Sequence, residues 1–130
     1  MKSRDSLVRL KRFQVKEKGR QLGQLDLMIA EFERMAGELD VQIQAEERKA
    51  GITDVNHFAY PTFAKAARQR RDNLFTSIRD LRAQKEAAEA TLQEAQADLA
   101  RAEALEERDG KSREPEIPQS PTVDRRAMIG

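Results

Sequence analysis

Few residues in this chain could do chemistry, and none recur at a spacing that chemistry requires. His57 is the only histidine and cysteine is absent. A histidine-based metal site would therefore need carboxylates alone as co-ligands, and disulfides and thiolate metal sites are excluded. The single imidazole reads as a polar residue of a bend. Glycines stand alone, inside helices or at their ends, so no phosphate-cradling loop is present. The carboxylates recur at helix-surface spacing, where they serve solubility and ion pairing. Arg68-Gln69-Arg70-Arg71 resembles an RNA-contacting run. Its expected cross-helix neighbours, Glu38, Asp40 and Glu46, are acidic, so the counter-charge is supplied within the chain. These residues predict a protein that is not an enzyme, uses no cofactor or metal, and binds no nucleic acid.

The aromatic residues say more. Four of the six, Phe58, Tyr60, Phe63 and Phe75, fall between positions 58 and 75. Phe63, Ala67, Arg70 and Leu74 share one helical stripe, at the spacing by which a helix docks into a groove. Two readings stay open. The cluster caps a core at the closed end of a hairpin, or it presents an aromatic docking site on a charged surface.

The elements that position this stripe follow from composition and period. Of 130 residues, 38% are hydrophobic, 5% aromatic and 36% charged, with a mean hydropathy of −0.79. That leaves too little apolar surface for a thick core, so the alternatives are disorder or a thin repetitive seam. Counting by sevens from Val8 gives Val15, Leu22, Ile29, Ala36, Ile43 and Ala50, all apolar. The interleaved positions Leu25, Phe32 and Leu39 are apolar in the middle of the run, and Met28 and Met35 widen the stripe. This predicts a helix with a coiled-coil seam over about 4–50. Arg48, Lys49 and Gly51 read as its stop. A bend over about 51–60 follows, with Pro61 in the first turn of a second helix. That helix runs over about 61–108, with its seam at Leu74, Ile78, Leu81, Lys85, Ala88, Leu92, Ala95, Leu99 and Ala102. It is expected to stop at Arg108-Asp109-Gly110. Residues 109–130, with Pro115, Pro118 and Pro121, are expected to form a disordered tail.

Charge selects the topology. Residues 1–20 carry a net +6, residues 21–60 a net −5, residues 61–85 a net +5 and residues 86–109 a net −6, within a total of +1. Folding back near residue 55 sets each block against one of opposite sign. A parallel pairing would stack each block on its own copy, and that repulsion accumulates even though single exposed pairs are weak. The expected fold is thus all-α, a long antiparallel two-helix coiled-coil hairpin of roughly 70 Å. A domain-swapped or antiparallel dimer fits the same pattern. The longest apolar run, Leu27 to Ala30, is too short for a membrane span or a signal-peptide core, so a cytoplasmic protein without membrane insertion is expected.

A helical hairpin with a Tyr-x-x-Phe step opening its second helix resembles the FliJ family. These are the coiled-coil proteins of the bacterial flagellar type III export apparatus. The step here is Tyr60-Pro61-Thr62-Phe63, followed by the Arg- and Leu-bearing stretch from Arg68 to Leu81. The run Leu7-Val8-Arg9-Leu10, with Glu17 and Leu22, is also similar. The resemblance covers residues 1 to about 108. It implies a stalk whose free-end helices enter the ring of the flagellar export ATPase. It implies, too, that the start of the second helix contacts the cytoplasmic domain of the export gate, that export chaperones are escorted, and that the protein sits peripherally at the inner-membrane apparatus. Carried onto this chain, the gate-facing stripe is Phe63, Ala67, Arg70 and Leu74. Without the resemblance, the residues describe a helical-hairpin adaptor or chaperone with a different partner.

Overall fold

A computed structural model describes the backbone of residues 2–113 and the side chains of residues 5–110. It is all-α: helix α1 spans Lys2–Ala50 and helix α2 spans Thr62–Arg113, packed against each other as a hairpin. Two compact units form along the pair. One joins α1 up to Gly19 with α2 from Ala90; the other is Arg20–Glu89.

Within the Arg20–Glu89 unit the core is a single seam, as a two-helix structure dictates. Ile29, Ile78 and Leu81 are buried together, with Leu25 and Phe32 packed against them. Leu39, Ile43 and Ala67 form a second cluster, flanked by Leu74. The α2 seam begins earlier than the sequence suggested: Ala64 is 0% exposed and Ala67 only 3%. Small side chains here let the helix backbones approach closely next to the bend. In the terminal unit Val8 and Ala102 are buried, and Val15, Ala95 and Leu99 are half-buried.

Cross-helix ion pairs fix the antiparallel sense in each unit. Arg71 pairs with Asp40 at 2.7 Å, Arg82 with Glu33, and Lys85 with Asp26 at 2.8 Å, the α1 number falling as the α2 number climbs. In the terminal unit Arg12 meets Glu103 at 3.2 Å. Each pair joins blocks of opposite charge, as the sequence predicts. Glu38 and Glu46 do not serve the arginine run as expected. Glu38 pairs with Arg34 one turn earlier, and Glu46 with Lys49, because both partners lie within a turn on the same helix.

The bend closes through local hydrogen bonds. Gly51 takes a positive φ of 70°, and the Gly51 and Ile52 N–H groups both donate to the Glu47 carbonyl, the bonding of a left-handed helix C-cap. Asp54 then accepts from Asn56 N–H through its side chain and from His57 N–H through its carbonyl, both at 3.0 Å. Pro61 lies one residue before α2, and its carbonyl accepts the Lys65 N–H. Tyr60 locks the bend onto α1: its ring is buried and its hydroxyl donates to Glu47 at 2.6 Å. Burial first, then the Glu47 carboxylate, pushes the phenol above its ordinary value of 10.0. Tyr60→Phe should therefore lower stability by about 1 kcal/mol, measured by urea unfolding at neutral pH. The raised value favours the protonated phenol, so this contribution is present below the ordinary tyrosine range and lost as pH rises through the raised value. The variant should lack that alkaline loss.

Helix α2 does not stop at Asp109-Gly110; it continues to Arg113. A glycine ends a helix when it takes a positive φ, and Gly51 is the one described glycine that does. Gly110 stays helical, and Glu106 and Asp109 extend the half-buried seam beyond Ala102. The next breaking signal is Pro115, which disfavours helix in the residue before it. The expected tail from 114 onward lies outside the described residues.

Candidate docking site at the start of the second helix

The stripe singled out from the sequence divides on folding. Phe63 is 54% exposed and Arg70 is exposed. Ala67 is buried in the seam, and Leu74 packs half-buried against the Leu39–Ile43 cluster. The four do not share one open face. Their spacing straddles the seam edge, so Phe63 and Arg70 reach solvent while Ala67 and Leu74 hold α2 against α1.

The aromatic cluster divides likewise. Tyr60 caps the core. Phe58, at the bend, is 96% exposed and stacks on His57 with ring centroids 4.8 Å apart. Phe75 is 43% exposed and lies under the Arg71 guanidinium, 5.6 Å from its ring centre. Tyr60 thus fits the capping reading, while Phe58, Phe63 and Phe75 keep open surface. The exposure of Phe58 was not legible from period, because a bend has none. The position of His57 was: its Nδ1 accepts the Ala59 N–H at 3.0 Å, a structural role in the bend.

Arg71 is the residue that sequence reasoning undervalued. It occupies the seam slot between Ala67 and Leu74, with a side chain only 21% exposed. Its guanidinium bonds Asp40 at 2.7 Å and Asp72 at 3.3 Å, while its Nε is buried without a partner among the described residues. The hydrogen bond to Asp40 is the largest cause of a pKa raised above the ordinary arginine value. The signal was available: continuing the four–three alternation of the α2 seam upstream from Leu74 lands on Arg71, Ala67 and Ala64. With Arg71 turned into the seam, the Arg68–Arg71 run does not present all its cations on one face.

Chemistry is otherwise sparse. No cluster of three or more His, Cys, Asp or Glu side chains able to hold a metal occurs among the described residues. In the terminal unit the neighbouring Asp5 and Glu106 carboxyls compete for a proton, which lowers the first and raises the second. No helix among the described residues is long and apolar enough to cross a membrane.

Exposed aromatic side chains at and beyond the bend stand on a charged surface, the usual composition of a protein-docking anchor. Comparison with family models, curated proteins and solved structures finds no match to this chain.

Proposed function

We propose that this chain is a non-enzymatic component of the flagellar protein export apparatus, a stalk-like coiled coil. It binds the export ATPase ring and the cytoplasmic domain of the export gate, escorts export chaperones, and works peripherally at the inner membrane from the cytoplasmic side. One observation carries the gate contact: Phe63, last residue of the Tyr60-Pro61-Thr62-Phe63 step, is 54% exposed while Tyr60 of the same step is buried. The step thus pairs a structural anchor with a free aromatic. Helix length and polar flanks support the stalk role, since a coil seated in an ATPase ring needs these more than a thick core. Arg70, exposed two turns beyond Phe63, supplies a charged neighbour for the docked partner, and Ala67 and Leu74 act by holding α2 in place.

The test is a pull-down of the full chain against the flagellar export ATPase and against the cytoplasmic part of the export gate. Wild type should bind both saturably. Phe63→Ala should weaken the gate interaction about tenfold and leave ATPase binding and helix content unchanged. Gate binding that ignores the substitution would remove Phe63 from the interface. A helical chain that binds neither protein would remove the flagellar assignment and leave the helical-hairpin adaptor.

A further inference from the structure

The two flanks of the seam in the Arg20–Glu89 unit differ in kind. On one flank α1 presents Asp26, Glu33, Asp40 and Glu47; the first three reach across to Lys85, Arg82 and Arg71 of α2, and Glu47 accepts from the Tyr60 hydroxyl of the bend. That flank is closed by charge. On the other flank the corresponding α1 positions in the heptad are Gln21, Met28, Met35 and Gln42, of which Met35 and Gln42 line hollows shared with Arg70, and Met35 one shared with Ser77. In a chain with 36% charged residues, such a charge-poor flank is unusual, and no cross-helix ion pair closes it among the described residues. A surface groove of about 260 Å³ runs there, lined by Phe32, Met35, Arg70, Asn73, Leu74 and Ser77. Met28, one heptad before Met35 on the same flank, is 46% exposed.

We propose that this groove seats an amphipathic helix from another protein. That helix carries Leu-, Met- or Phe-type residues at i, i+3 or i+4 and i+7, and an acidic residue placed to meet Arg70. Two methionines on an otherwise polar surface suit such a groove, because their flexible thioethers adapt to the incoming side chains. Charge selects the occupant. Arg70 lines both this groove and the neighbouring hollow, where Glu38 and Gln42 stand beside it, and it forms no ion pair among the described residues. The nearby α1 carboxylates Glu31 and Glu38 are already engaged by Arg34. The groove therefore offers an apolar floor and one unneutralised cation. A second copy seated groove to groove would bring a second Arg70 to the contact along with Glu38, which Arg34 already engages. An acidic helix neutralises Arg70.

The inference stands on this geometry and does not depend on the export reading, so its test contains no flagellar component. The probes are two labelled synthetic peptides of about 18 residues, long enough to hold a helix once seated. Both carry leucine at the apolar heptad positions; one has glutamate and the other lysine at the flanking positions. Binding to the full-length chain is read by fluorescence anisotropy, with circular dichroism as the folding control. The glutamate peptide should bind more tightly than the lysine peptide. Met35→Glu should weaken it about tenfold, and Arg70→Glu should reverse the preference between peptides. Arg70 is exposed and outside the seam, so that variant keeps the test valid if Met35→Glu perturbs folding. Absence of binding by either peptide would overturn the proposal, as would a peptide preference that Arg70→Glu leaves intact. Sedimentation showing a dimer that Met35→Glu dissolves would also overturn it, giving the groove to a second copy.

Discussion

Ile43→Ala should destabilise the Arg20–Glu89 unit by about 2 to 3 kcal/mol, whereas Val41→Ala, two residues away, should change stability by less than about 0.5 kcal/mol. Ile43 is 3% exposed and packs with Leu39 and Ala67 under Leu74, while Val41 is 67% exposed on the outer face of the same helix. Truncating a buried isoleucine removes its transfer free energy and leaves a void whose cost depends on how far the site can collapse. A seam one layer thick borders water on both sides, so part of that void relaxes, which puts the loss in the lower part of the usual range. At Val41 the truncated surface was already hydrated, and alanine is the better helix former. Urea unfolding followed by circular dichroism separates the two variants. Equal losses would mean that the seam does not run through Ile43.

That contrast could be anticipated because a seven-residue period of apolar residues says which face of a helix is buried before any partner is known. The α1 seam from Val8 to Ile43 and the α2 seam from Leu74 to Ala102 were both legible in this way. So was the antiparallel sense, since four charge blocks leave one fold-back that opposes every sign. The bend was legible from Gly51 and Pro61, whose conformational restrictions are local. Other features depend on contacts that period does not encode. The end of α2 was misplaced because a glycine is only a permissive stop, and Gly110 remains helical where the seam continues beside it. Carboxylate partners were misassigned at Glu38 and Glu46 because a same-helix cation within one turn competes with a more distant one across the seam.

The docking stripe shows the same limit. Spacing alone placed Phe63, Ala67, Arg70 and Leu74 on one face, and so they are. Whether that face is open depends on where the seam of α2 begins: Leu74 already opens the seam read from the sequence, and extending it to Ala64 consumes Ala67 as well. Phe63 and Arg70 fall just outside. The same register puts Met35 in a groove with Arg70 and Ser77, so the charge-poor groove and the exposed arginine follow from one choice of seam. Residue types would have revealed that asymmetry, had the two flanking positions of each heptad been compared: one row reads Asp, Glu, Asp, Glu and the other Gln, Met, Met, Gln.

Asp40→Ala should cost about 2 kcal/mol, while Arg71→Leu should leave stability unchanged or raise it by about 1 kcal/mol. The two substitutions break one ion pair and differ in what they leave behind. Removing Asp40 strands a guanidinium whose side chain is 21% exposed, with Asp72 at 3.3 Å as its remaining anion and an Nε that is already buried without a partner. Removing Arg71 leaves Asp40, whose side chain is 41% exposed and can recover its hydration, and places leucine in a seam slot between Ala67 and Leu74. The raised arginine pKa keeps the pair's contribution fully present at neutral pH, because a raised cation contributes below its ordinary value and is lost only as pH climbs through the raised one. The partial exposure of both groups holds the estimate below the cost of breaking a fully buried pair. What the arginine adds is register: a polar residue in a coiled-coil seam is satisfied in one stagger of the helices and unsatisfied in the next. The decisive comparison is a double-mutant cycle. In the Arg71→Leu background, Asp40→Ala should lose most of its cost. If it costs as much there as in wild type, Asp40 stabilises the unit by some means other than the pair, and Arg71 is not the residue that sets the stagger.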